Sequence, residues 1–566
     1  LLLSAFILLA VRCVQIQLEK HQHYDSICDR QQQGRVTFKP QRGSILDRRG
    51  RILAASNRVQ TVFAEPRLIR EPGAVCARLG RILDMEPALI GRIIEASANP
   101  GYARIKTDVS PARCDEARDL YGIGVSSDWQ RHYPMGPLAA HVVGFTSTDG
   151  RGLAGVELQY DDSLKGDAGE SVFMADALRR PLRPTKNHGI TDGVGIILTI
   201  DAAIQQFARS ELKRQYEAYD AESAVAIVMD PADGAVLAMV SLPDFDPQQI
   251  GSAEAENLRN RALWDQFEPG SLMKPIAVAI ALDSGVINPD DTIFCEFGSY
   301  SGSGFGHIGE YGDHKFGELA IRDILVKSSN IGAAKIGQRL GAEKLYKGLT
   351  LFGFGRRTDL NLSGEAVGLL RPPDRWTGYS VTRIPFGQEV SATAIQLARA
   401  FCVLANEGRL VRPYVVRAIV DDSGRIVRLK RPPPPIGFII TPSVARWVVT
   451  EALAGVVNEG TGRKASLDDW QVFGKTGTAS MACADQRGYE PNAYVASFVG
   501  GAPAVKPAAV VLVSIFKPRV SLGKGYTGGT VAAPVAGRIL DKTLRYLGVP
   551  KRGADVTSDL TVARNR

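Results

Sequence analysis

Apolar and polar positions change period several times along the 566-residue chain, and each change marks an element. The opening LLLSAFILLAV is an eleven-residue, almost wholly apolar run ahead of Arg12. That is short of the ~20 residues that span a bilayer, and it reads as the remnant of a single anchor helix. The polar stretch Glu19 to Arg35 follows, and its QLEKHQHYDSICDRQQQ reads as a helical stalk. In RGSILDRRGRILAAS, Arg42 to Ser56, two short apolar runs flank a D-R-R-G turn, the pattern of a β-hairpin. Short helices and strands alternate with turns up to about Phe173. The basic, Pro- and Gly-rich RRPLRPTKNHGITDG, Arg179 to Gly193, then reads as a domain boundary.

Beyond residue 190 the texture changes. IILTI ends in Asp201, which is placed to cap the amphipathic helix AAIQQFARSELKRQYEAY. SAVAIVMD and AVLAMVS, joined by the turn Pro231 to Gly234, predict a second hairpin. Apolar helices (IAVAIALDSG, TAIQLARAFCVLANEG) and further strands (YVASFVG, AAVVLVSIF) follow. The mixture predicts an α+β domain with helices packed on an antiparallel sheet. PPPP at 432–435 reads as a stiff surface loop, and the polar tail after Lys551 as mobile. The expected division is an anchor at 1–19, an elongated α+β domain at 20–190, a second α+β domain at 191–550 and a tail at 551–566.

Composition narrows the class. Apolar residues at 45% and charged residues at 23% belong to globular protein. A net charge of +8, scattered and without a nucleic-acid-binding motif, reads as a solvated surface. Seven cysteines without C-x-x-C or a Cys/His cluster argue against a zinc site or a disulfide framework. No metal or other cofactor is implied.

The candidate chemistry lies in three short motifs. QVFGKTGTAS, Gln471 to Ser480, contains G-K-T, but a phosphate loop needs a first glycine where Asp469 stands, so the nucleotide reading is poor. No histidine is placed for a serine triad by any local pattern. A serine can instead be activated by a lysine one helical turn away, in S-x-x-K. Such pairs recur along the chain, where roughly one or two are expected by chance. Ser210 with Lys213 lies within a surface helix, and Ser514 with Lys517 ends a strand, where residues three apart face opposite ways. Ser271 with Lys274, in EPGSLMKPIAVAIALDSG, sits where a turn becomes an apolar helix. There the helix start offers free N–H groups, and burial would lower the amine's pKa. Pro275, which biases Lys274 away from helical geometry, is expected within the first turn. Taken alone, Ser271 reads as a helix cap. Partners change the weighing: S-x-N at Ser328 to Asn330, and the chain's only K-T-G at Lys475 to Gly477, followed by Thr478. An earlier S-x-N, Ser97 to Asn99, fits nothing.

In this order the motifs resemble those of the penicillin-binding and serine β-lactamase enzymes. RGSILDRRGRILA, RHYPMGPLAAHVVGF and GLAGVE are similar to the pedestal of class B penicillin-binding proteins. RNRALWDQFEPGSLMKP and FGQEVSATAIQLARAFCVLANEG are similar to the transpeptidase domain of the septal, cell-division type, so the resemblance covers nearly the whole chain. It implies an inner-membrane anchor, an elongated pedestal of the dimerisation type and an extracytoplasmic α/β/α transpeptidase domain, with peptidoglycan stem peptides and β-lactams as ligands. It implies that Ser271 attacks the carbonyl of a terminal D-Ala-D-Ala and that Lys274 takes its proton. Ser328 would relay a proton to the leaving amine, and Asn330 would hold the peptide amide and orient Lys274. Lys475 would supply positive potential, Thr476 and Thr478 would bind the terminal carboxylate, and Gly477 would let substrate approach the strand. The Ser271 and Thr478 N–H groups would form the oxyanion hole. A SEDS-family glycosyltransferase and other septal membrane proteins are the implied partners. The rivals are a D,D-carboxypeptidase or β-lactamase in which water resolves the acyl-enzyme, and a non-enzymatic β-lactam sensor or division scaffold.

Overall fold

The structure is a computed structural model. It describes residues 2–22, 24, 33–175, 181–187, 189–421, 423–430, 434, 436–483 and 488–552. Part of the expected stalk (23 and 25–32), most of the 432–435 proline run and the tail from 553 lie outside the described residues. The apolar N-terminal run is the helix Leu2–Val14. Among the described residues no helix is long and apolar enough to cross a membrane.

The C-terminal half is built on a five-stranded antiparallel sheet, in the order Val236–Leu242, Ser223–Met229, Ala509–Phe516, Tyr489–Ala502, Phe473–Ala482. Strand Ser223–Met229 is buried along its whole length, and the two-residue period of a strand divides its side chains between two layers. Ala224, Ala226 and Val228 pack with Ile204, Leu212 and Ile539 of the helices Ala202–Ala218 and Ala533–Leu547. Val225, Ile227 and Met229 join the other core, with Ile276 and Leu397 of the helices Lys274–Asp283 and Ala394–Ala405. The result is the expected sandwich, helices on both faces of an antiparallel sheet. Caps stand where side-chain chemistry puts them. Asp201 accepts from the Ala203 N–H at 3.0 Å, and Thr393 and Gln396 close a capping box.

The N-terminal half carries the expected hairpin, Ile45–Leu46 with Ile52–Ala64. It also has a small core of its own around Leu79, Leu83 and Ile90. Its sheet does not stop at the change of texture. Gly195–Leu198 pairs in parallel with Ile45–Leu46 on one side and antiparallel with Val416–Val420 on the other. One continuous sheet therefore joins the two halves. Part of the basic stretch preceding it, Pro181–Asn187, is itself a strand of a separate three-stranded sheet with Gly169–Ala175 and Gln33–Phe38.

Candidate active site

Ser271 lies in a single turn of 3-10 helix, Gly270–Met273, that runs straight into the helix Lys274–Asp283. Gly270 enters this turn with φ of +56°, a left-handed conformation that suits glycine. Pro275 falls in the first helical turn, where its missing N–H breaks no bond. Lys274 keeps helical geometry in spite of it, with φ −56° and ψ −47°. Every residue from Lys274 to Leu282 is buried. The lysine is carried into the core by its neighbours.

The second motif begins the helix Asn330–Phe352. Its two serines have different tasks. Ser329 is the cap, its hydroxyl accepting from the Gly332 N–H at 2.9 Å. Ser328 stands just before it with φ of +60°, uncommon for a residue with a Cβ. Its hydroxyl is thereby brought between two buried amines. Lys274 Nζ donates to it at 3.2 Å and Lys475 Nζ at 2.9 Å. Lys274 also donates to the Ser328 carbonyl and, at 2.8 Å, to Asn330 Oδ1. Asn330 Nδ2 donates to the Gly309 carbonyl at 3.0 Å, which turns the amide oxygen towards the amine.

The third motif lies on the edge strand Phe473–Ala482, directly against the serine turn. A Cβ on Gly270 would stand 3.3 Å from the Thr478 carbonyl oxygen, and one on Gly387, which has φ of +85°, only 2.1 Å from the Gly270 oxygen. The turn is thus wedged between the strand and the 387 loop. The missing side chain of Gly477 serves the same packing. A Cβ there would meet Leu272 Cγ at 2.8 Å and the Pro269 oxygen at 3.1 Å, so the space faces the serine turn rather than an approaching ligand. Thr476 Oγ1 lies 2.7 Å from Thr461 Oγ1, and Thr478 Oγ1 accepts from the Gly528 N–H at 3.0 Å.

Both amines are fully buried. Burial pushes the Lys274 ammonium down to about 7, against the opposing pull of the Glu310 carboxylate. Burial, and then the charge of Lys274, drives Lys475 well below its ordinary range. Lys475 thus reaches the Ser328 hydroxyl as an amine whose surroundings favour its neutral form more than water does. Ser271, Ser328, Asn330, Thr476 and Thr478 all line one cleft of about 200 Å³. Among the described residues the Ser271 hydroxyl makes no hydrogen bond, and it faces this cleft free.

The other sequence candidates are elsewhere and otherwise engaged. Ser210 Oγ donates to the Phe207 carbonyl at 3.1 Å, and Ser514 Oγ pairs with Ser497 Oγ at 2.9 Å in the core. Lys517 is paired with Glu222 and Glu490. Ser97 and Asn99 close a surface turn. Sequence reasoning missed Glu310, Thr461 and the Thr527–Gly529 segment, which also line the cleft. None carries a local signal; only the tertiary fold brings them to the serine.

A free hydroxyl at a helix start, one turn from an amine that burial brings down to about 7, is equipped for acyl transfer through a covalent ester. With an antiparallel sheet between helical layers, that defines a serine acyltransferase of the lysine-activated class. Comparison with known proteins gives the branch. Residues 224–541 match the family described as Penicillin binding protein transpeptidase domain, and residues 37–198 the Penicillin-binding Protein dimerisation domain. Stage V sporulation protein D of Bacillus subtilis is 34% identical over 557 residues, covering 97% of this chain and 84% of that protein. Peptidoglycan D,D-transpeptidase FtsI of Escherichia coli is 30% identical over 515 residues, covering 90% and 84%. The crystal structure of penicillin binding protein 3 from Mycobacterium tuberculosis complexed with aztreonam superimposes with a TM-score of 0.71 at 27% identity, covering 91% of this chain and 98% of that one. The chain belongs to the class B penicillin-binding proteins.

Proposed function

We propose that the protein is a serine D,D-transpeptidase that cross-links peptidoglycan stem peptides in septal wall synthesis and is acylated by β-lactams at Ser271. The observation that carries this reading is the buried Lys274 amine, brought near neutral pH one turn from an unencumbered serine hydroxyl. Ser271 Oγ attacks the carbonyl carbon between the two D-Ala residues, and its proton passes to Lys274 Nζ. The backbone N–H groups of Ser271 and Thr478 hold the oxyanion, where losing one donor costs about 3–4 kcal/mol. The C–N bond then breaks, and the leaving D-Ala amine takes a proton through the Ser328 hydroxyl from the lysine pair. An amine of a neighbouring stem peptide attacks the ester, gives up its proton to Lys274 and displaces Ser271, which is reprotonated. A substrate carboxylate held by Thr476 and Thr478 would favour the charged form of Lys475, which supplies positive potential, and Asn330 would hold the peptide amide.

The same reading sets the chain in the inner membrane by a single anchor, its catalytic domain outside the cytoplasm, with the 37–198 region as a docking pedestal for a SEDS-family glycosyltransferase and other septal proteins. Family resemblance and the apolar helix Leu2–Val14 support it. Labelling with a fluorescent penicillin, followed by mass spectrometry of the modified peptide, tests the chemistry. An adduct on Ser271 that is lost in Ser271→Ala is expected. An adduct on another residue, or none, overturns the reading.

A further inference from the structure

Asn330 and Ser328 are not held in place by their own helix alone. The β-hairpin Ser299–Gly302 with Gly306–Gly309 delivers Glu310 to the start of that helix. Its carboxylate accepts from Ser329 Oγ at 2.5 Å, from the Asn330 N–H at 2.7 Å and from the Ile331 N–H at 3.2 Å. An anion receiving the free N–H groups of a helix start is favourably placed. Here it also meets every residue from 329 to 331 while lining the cleft that contains Ser271. Gly309, immediately before it, supplies the carbonyl that orients the Asn330 amide. Two adjoining groups of one hairpin end thus fix the frame from which Ser328 and Asn330 reach Lys274.

We infer that Glu310 is a positioning residue for acyl transfer: it clamps the 329–331 backbone so that the left-handed Ser328 presents its hydroxyl to both amines and Asn330 presents its amide oxygen to Lys274. A clamp is needed because φ of +60° at a serine is not self-sustaining. The inference rests on the transpeptidase reading above and deepens it. Glu310 has a second consequence, which a merely structural residue would lack. The titratable and charged groups around the Lys274 amine are Lys475 from the edge strand, Glu310, Tyr311 and His314 from the segment after the hairpin, and Lys327 beside Ser328. Of these, the Glu310 carboxylate is the one whose charge raises the Lys274 pKa. Removing that charge lowers it further.

The test is the rate of Ser271 acylation by a fluorescent penicillin as a function of pH, in the whole chain, for the wild type, Glu310→Gln and Glu310→Asp. For Glu310→Gln we expect a plateau rate about 10- to 100-fold lower, the scale of a small misplacement in an active site. We also expect the rising limb of the profile to move to lower pH. Glu310→Asp keeps the charge but shortens the reach, so its rate falls while the limb stays in place. A wild-type profile in Glu310→Gln overturns the inference, and so does a rate loss with an unmoved limb. Should Glu310→Gln not fold, Glu310→Asp decides: acylation at the wild-type rate overturns the clamp. Failure of the wild type to be labelled at all would instead sink the transpeptidase reading.

Discussion

Burial disfavours the charged form of an amine, and Lys274 carries the consequence into both chemistry and stability. With a pKa lowered from 10.5 to about 7, the folded chain holds fewer protons on this residue than the unfolded chain throughout the window between those values. Stability from this group is therefore lowest below about 7 and rises with pH up to about 10.5. Denaturant unfolding at several pH values checks the sign: the wild type should gain stability relative to Lys274→Met as pH rises through that window. The same substitution removes the base, and acylation of Ser271 should fall by about 10²–10⁴. Lys475 differs in kind. Its amine is pushed down by burial and by the Lys274 charge together.

At the scale of elements, the site depends on a turn squeezed between an edge strand and a loop. Gly387→Ala would drive a Cβ against the Gly270 carbonyl at 2.1 Å in a backbone conformation with φ of +85°. We expect it to destabilise the fold by about 2–3 kcal/mol, measured by thermal unfolding, and to slow acylation by displacing Ser271. Ser271 and Lys274 were legible in the sequence because their chemistry is local, one turn of one helix. The hairpin strand SAVAIVMD and the cap at Asp201 were legible for the same reason. The serine pair at 328 and 329 was half legible: its spacing names the motif, but which hydroxyl caps and which faces the cleft depends on a positive φ that no local pattern announces. The space beside Gly477, which the resemblance gives to an approaching substrate, is taken up by Leu272 and Pro269. Glu310 was invisible, because its importance comes from a hairpin placed by long-range packing.

Across the whole molecule, the two halves share backbone and charge. The sheet passes from Ile45–Leu46 through Gly195–Leu198 to Val416–Val420. Beside it, Asp47 of the first hairpin accepts from the Arg49 and Arg51 N–H groups at 2.8 Å and from the Ala202 N–H at 3.1 Å, at the start of a helix of the second half. Tyr546, on the last long helix, donates to Asp201 at 3.0 Å. This buried latch explains why the D-R-R-G turn belongs with the catalytic half. Asp47→Ala strands a buried helix-start N–H, and denaturation should register a loss of about 1–3 kcal/mol, with Ser271 still acylated where the variant stays folded. The catalytic sandwich holds one hydroxyl a single turn from one buried amine, and the chemistry requires that amine to be uncharged when it is needed. Its most direct test is the rate of Ser271 acylation by penicillin from about pH 5 to about pH 9. The rate should climb through about 7 to a plateau and lose that climb in Lys274→Met. A flat profile in the wild type, or a climb that survives the loss of Lys274, would contradict it.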